Sequence, residues 1–362
     1  IIAMLKYTNL ITGLRFFRGG ADGLNYYSLG RDILSNFEKG NFLLALRGGS
    51  DIFYFMPGQR YFSAISNFIF GATSYGYLLI TSILPTIFYI FFKKYLNEKT
   101  AVLLFVLFVF FPIFENLGFG YYNYIHQVFR NHAETLSILL ILLSFITVVD
   151  FEKKQNLHIF EIFSIGLLLS LAAILRPNFF LTTSLIFLYV TYFLFIKKKY
   201  LGLSIFFISY FTFLSCLAHN LYFGERFVLF TNAFVEMNFP ISLEIYFIGV
   251  YNMILFNFEN LEFQIMINHL SRWNPIYNIH RIAIFAFVIF YFLKKKQSSF
   301  NYLLILCMLL QQGLLFLSNP DSRYAYLAWL LLFILFINIF IQSNLFHNLK
   351  SIIPLKMKVK ID

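Results

Sequence analysis

Apolar runs close to the ~20 residues that cross a bilayer fall at about 73–92, 100–117, 132–149, 157–175, 178–196, 201–219, 276–293, 299–317 and 324–342. Runs this continuous satisfy their backbone hydrogen bonds as helices rather than as alternating barrel strands. Residues 1–17 are too short and too polar to span, and the chain opens Ile-Ile-Ala, so a tenth span ahead of it is expected. Residues 18–70 break the apolar pattern with Asp22, Asp32, Asp51, Arg31, Arg47 and Arg60 and with glycine pairs at Gly19-Gly20 and Gly48-Gly49. Paired glycines favour a folded loop over a continuous span. Within this loop, residues 24–37 place Tyr26, Leu29, Ile33 and Phe37 opposite Ser28, Arg31, Asp32 and Ser35. Residues 59–70 likewise place Tyr61, Phe62, Ile65, Phe68 and Ile69 opposite Arg60, Ser63, Ser66 and Asn67. Both patterns predict helices lying in the membrane surface. A second semi-polar segment, about 220–275, is broken by Pro240 and four glutamates and also reads as interfacial, a pair of short extra spans being the alternative.

The chain is 59% hydrophobic, 21% aromatic and 12% charged, against about 25% charged in soluble domains. The fold class predicted is therefore an all-α polytopic membrane protein. It would have about 9–10 transmembrane helices and a long first extracytoplasmic loop carrying interfacial helices. The net charge of +11 does not point to nucleic acid, because the lysines cluster between apolar runs. Lys93, Lys94 and Lys99, then Lys153 and Lys154, Lys197–Lys199, Lys294–Lys296 and the last four lysines mark alternate connections, which are cytoplasmic by the positive-inside rule. Residues 1–342 then form one transmembrane domain, with outer segments at 15–72 and 220–275, and 343–362 form a cytoplasmic basic tail. As a multi-pass protein the chain is expected in a bacterial cytoplasmic membrane, with its active face outside the cytoplasm. Cys216 and Cys307 both lie inside apolar runs, which excludes a disulfide framework.

The kind of cation sharpens this picture. All 15 inner basic residues are lysines, whereas all 11 arginines fall outside or at the outer ends of spans. Topology needs only positive charge, but arginine is the bidentate ligand of phosphate and carboxylate. Asp22, after Gly-Gly-Ala and before an interfacial helix, is placed as a general base at the membrane surface, or as an N-cap. Asp51 is a second carboxylate or a turn residue. Arg176, in Leu-Arg-Pro-Asn, stands where two spans reverse, either binding phosphate or snorkelling. Arg323, in Asp321-Ser322-Arg323-Tyr324, opens the last span. His126, Arg130 and Arg60 are further candidates for substrate or phosphate. His126, His132 and Glu134 show no recognised ligand spacing, so no metal site is expected.

Taken together, Gly20-Ala21-Asp22-Gly23, Pro57 with Phe70-Gly71, Leu175-Arg176-Pro177-Asn178 and Ser322-Arg323-Tyr324 resemble the GT-C membrane glycosyltransferases, a group that includes protein O-mannosyltransferases and lipid A aminoarabinose transferases. The resemblance implies inverting transfer of a sugar from a polyprenyl-phosphate donor to a glycan, lipid or protein acceptor. Asp22 would be the base, and Arg176 and Arg323 would hold the donor phosphate. Many members carry a second acid beside the first; here Gly23 stands there, which leaves metal use open. A flippase or transporter of lipid-linked glycan, or a surface-polysaccharide polymerase or ligase, would also use outer arginines. The absence of an internal repeat disfavours the transporter.

Overall fold

The computed structural model describes residues 21–71, 75–115, 117–153, 158–231, 241–271, 279–317 and 322–342; among these every regular element is helical. Five stretches are long and apolar enough to cross a membrane. They are α4 (Tyr75–Tyr95), most of α7 (Ala133–Lys153), α9 (Phe180–Ile196) with the turn before it, and most of α16 (Ser322–Gln342). The fifth runs from α10 (Tyr200–Tyr210) through a 3-10 turn into α11 (Ser215–Gly224). Shorter helices fill the other apolar runs: α5 (Glu98–Phe110), α8 (Ile159–Leu175), α14 (Ile279–Lys294) and α15 (Ser299–Leu317). The run at 100–117 does not stay helical throughout. Phe111 precedes Pro112 and is extended, as the ring of a following proline requires. At 13 residues α5 is about 20 Å long, short of a hydrocarbon core of about 30 Å.

Segment 220–275 yields α12 (Leu243–Ile254) and α13 (Leu261–Ser271), a packed helical pair with broad exposed apolar faces. Pro240 and Glu236 lie outside the described residues, as do Arg15, Arg18, Arg272 and Asp321. At 12 residues α12 reaches about 18 Å, too short to be a span of its own.

The helices pack mostly in sequence-adjacent pairs, α7 on α8, α4 on α5 and α15 on α16, with α8 also packing on α10 across α9, around one aromatic-rich core. The two kinds of cation separate in space as they do in sequence. At one end Lys94 pairs with Asp150 at 2.5 Å, and Tyr95 and Asn338 both bind Asn301. At the other end Arg176 and Arg323 meet acidic partners.

Helix α4 shows how polar backbone is managed inside this core. Pro85 lies within it and has no N–H for the carbonyl four residues back, that of Thr81. Tyr121, at the start of α6 (Tyr121–Phe129), donates its hydroxyl to that carbonyl at 2.5 Å. The proline's missing hydrogen bond thus becomes the docking point of α6.

In the first loop, α1 (Ala21–Glu38), α2 (Phe42–Arg47) and α3 (Gly58–Phe70) fold together. The two amphipathic helices face opposite ways. Helix α1 turns Tyr26, Leu29 and Ile33 into the protein and leaves Arg31 exposed. Helix α3 does the reverse. Gln59, Arg60, Ser63, Ser66 and Asn67 are buried, while Ile65, Phe68 and Ile69 are 57%, 64% and 62% exposed. Phe68 continues through Phe37, at 6.0 Å between ring centroids, to Phe42 and the exposed leucines of α2. A helix that buries its polar face and displays its apolar one is at home against hydrocarbon, not water. In a reconstituted bilayer, spin labels at Ile65 and Phe68 are expected to relax faster with oxygen than with a water-soluble nickel chelate. Stronger nickel relaxation at both positions would show that this face meets water.

Candidate functional site

Four charged side chains from four distant elements converge at the arginine-bearing end. Helix α8 stops at Leu175 because Arg176 precedes Pro177 and takes an extended conformation, the region a following proline enforces. That break directs the Arg176 side chain into the protein, where it is buried. Its Nε lies 2.9 Å from Oε1 of Glu134, in the first turn of α7. The same carboxylate oxygen lies 3.8 Å from Nε of Arg323, in the first turn of α16. Arg323 Nη1 in turn meets Asp22 Oδ2, in the first turn of α1, at 3.2 Å. Both arginines also donate from Nη2 to the Tyr324 hydroxyl, each at 2.8 Å. Phe55 closes the group, its ring centroid 5.1 Å from the Arg176 guanidinium carbon. Tyr26 is buried beside the cluster with its hydroxyl unpartnered, and burial keeps that phenol protonated.

Local structure explains how each group is held. Gly23 lets α1 start against the Arg130–Asn131 turn, since a Cβ there would stand 1.8 Å from the Arg130 carbonyl oxygen. Asn131 Nδ2 then donates to the Gly23 carbonyl at 3.3 Å, and Gln59 Nε2 donates to Asn131 Oδ1 at 2.5 Å. A second acid at position 23 would not fit this contact. Gly58 makes a comparable approach to the Ile174 carbonyl, which docks the start of α3 beside Arg176.

Of the candidates raised from sequence, Asp22, Arg176 and Arg323 come together; the others do different things. Arg60 is fully buried and donates to the carbonyls of Gly48, Asp51, Ile52 and Phe55, between 2.5 and 3.3 Å. It folds the loop that carries Phe55 onto Arg176, and its Nη groups are committed to backbone. Asp51 is exposed, and its Oδ1 accepts from the amides of Phe53 at 3.0 Å and Tyr54 at 3.2 Å, a local turn. His126 is exposed on α6, and Arg130 caps that helix through its backbone amide; neither side chain makes a hydrogen bond or ion pair with a described residue. Partial burial and the nearby Arg130 lower the His126 pKa and keep the imidazole neutral. No three His, Cys, Asp or Glu side chains stand close enough to hold a metal ion among the described residues.

Glu134 and Tyr324 join this cluster without a role assigned to them from the sequence. Glu134 had a signal, a carboxylate opening a span at the end where only arginines supply the cations.

Removing one partner of a buried ion pair strands the other's charge. Glu134→Ala is expected to destabilise the protein by about 3–5 kcal/mol, read as thermal unfolding in lipid nanodiscs. The double variant Glu134→Leu with Arg176→Met, which leaves no stranded charge, should lose less than the single one. A single variant indistinguishable from wild type would show that Glu134 holds no charge in place.

No family model, no curated protein and no solved structure matches this chain.

Proposed function

We propose that this protein is an inverting glycosyltransferase of the GT-C type, working at the extracytoplasmic face of a bacterial cytoplasmic membrane. The donor is a sugar on a polyprenyl phosphate, and the acceptor is a hydroxyl or amine of a glycan, lipid or protein. Asp22 takes the acceptor proton as the acceptor oxygen or nitrogen attacks the anomeric carbon. The bond from that carbon to the phosphate oxygen breaks, its electron pair leaving with the polyprenyl phosphate. Arg176 and Arg323 hold the phosphate and stabilise the charge that develops on it. The lysine-bearing end then faces the cytoplasm, and the exposed face of α2 and α3 rests in the outer leaflet.

One observation carries the reading. Asp22 and Arg323, 301 residues apart in the chain, are paired, and Arg176 reaches the same group through Glu134 and Tyr324. A carboxylate and two guanidiniums side by side at the end of an apolar bundle fit a base beside an anion clamp. A purely structural ion pair would not need two arginines to share a tyrosine hydroxyl.

Asp22→Asn should abolish transfer at normal abundance in the membrane. Asp22 lies inside the first turn of α1 rather than at its N-cap, and asparagine keeps the size of the side chain without its charge; turnover near normal in this variant would remove Asp22 from the chemistry. Lysine keeps the charge of an arginine but loses its fork. Arg176→Lys and Arg323→Lys should each weaken donor use by about 1–3 kcal/mol, on the order of 10- to 100-fold. Transfer rate against donor concentration checks this, and two variants that titrate like wild type would dismiss the clamp.

A further inference from the structure

The two carboxylates at the arginine pair are held very differently. Glu134 is 1% exposed and lies against the Nε edges of both Arg176 and Arg323. It also sits in the first turn of α7, where the helix N-terminus favours negative charge. Asp22 is 26% exposed and meets Arg323 Nη1 alone among the described residues. Together the four groups sum to zero charge, two guanidiniums against two carboxylates. A largely buried cluster tolerates little departure from that balance, because an unpaired charge away from water is costly.

An anion entering this group has to displace a negative charge already there. Glu134 has no route out of its position between two arginines. Asp22 has one contact to break and faces the open side. We infer that Glu134 is the permanent counter-ion and positioning residue of the arginine pair, and that Asp22 is an exchangeable one which the donor phosphate replaces on Arg323.

This rests on the phosphate-clamp reading and adds an order of events to it. While Arg323 holds Asp22, the carboxylate oxygen is turned to the guanidinium and is not open to an acceptor's proton. Phosphate binding takes over Arg323 Nη1 and releases Asp22. The freed carboxylate then stands beside the donor, ready for the acceptor proton. The base becomes competent only once the donor is in place, which limits idle proton transfer to water. The exchange moves a carboxylate and a phosphate between partners and makes or breaks no covalent bond.

The test is binding of farnesyl phosphate, a short prenyl monophosphate, to the full chain in lipid nanodiscs by calorimetry. If Asp22 competes for Arg323, removing its charge removes the competitor. Asp22→Asn, which does not transfer, should then bind the probe about tenfold more tightly, a difference the size of one charged hydrogen bond. Asp22→Ser also removes the carboxylate while keeping a small polar side chain, and it should show the same gain, which guards against a folding defect peculiar to one variant. Affinity equal to or weaker than wild type in both variants would overturn the exchange while leaving the arginine clamp intact. Absence of binding in wild type and both variants would overturn the exchange together with the clamp.

Discussion

A single carboxylate, Glu134, keeps two arginines inside this protein. Its oxygen touches the Nε edge of each guanidinium, and without it Arg176 would be a cation in a nearly dry interior. The remaining features of that end answer the same constraint. The helix break at Arg176-Pro177 delivers one arginine, and the start of α16 delivers the other. The Tyr324 hydroxyl accepts from both, so the guanidiniums are tied to each other as well as to the acid. Charge at this depth is expensive, and the expense is met by pairing, by shared hydrogen bonds and by an aromatic cover from Phe55.

The aromatic cover shows how far the organisation extends from the charges. Phe55 is placed by a loop whose carbonyls converge on Arg60, and Thr231 holds the Phe55 carbonyl from another part of the chain at 2.6 Å. Arg60 acts there much as a bound cation would, gathering backbone oxygens that have no helix or sheet to join. One arginine therefore shapes the loop that lies on another. The two guanidiniums have the same chemistry and different work, decided by what surrounds them.

Much of this was legible in the sequence, for physical reasons that differ by residue. The apolar runs report helices because lipid leaves backbone no other partner, and those runs are helical wherever the structure describes them, apart from the stretch after Phe110. The separation of lysine from arginine along the chain reappears as two ends of the bundle. Asp22, Arg176 and Arg323 stood out because each interrupts or opens an apolar stretch. Glu134 stands near two histidines in the sequence, which suggests a metal ligand, whereas its partners are arginines remote in sequence. Arg60 offered no hint that its ligands were carbonyls of its own loop, since backbone oxygens leave no trace in a sequence. A helical wheel gives the two faces of α3 but not their destinations. In a chain surrounded by lipid, an apolar face has two apolar media to choose from, and the packing of Gln59 and Ser63 on Asn131 decides it.

With lipid against it, that inverted helix would make the bilayer a structural component of the site. The outward face of α3 is apolar and exposed, and its first residue lies against the Ile174 carbonyl, two positions before Arg176. The loop between α2 and α3 carries Phe55 over the guanidinium. The depth at which α3 would lie in such a bilayer is thereby linked through this loop to the ring over the charge. On the proposed placement of α3 against lipid, lateral pressure and membrane thickness would become mechanical inputs to the arginine pair.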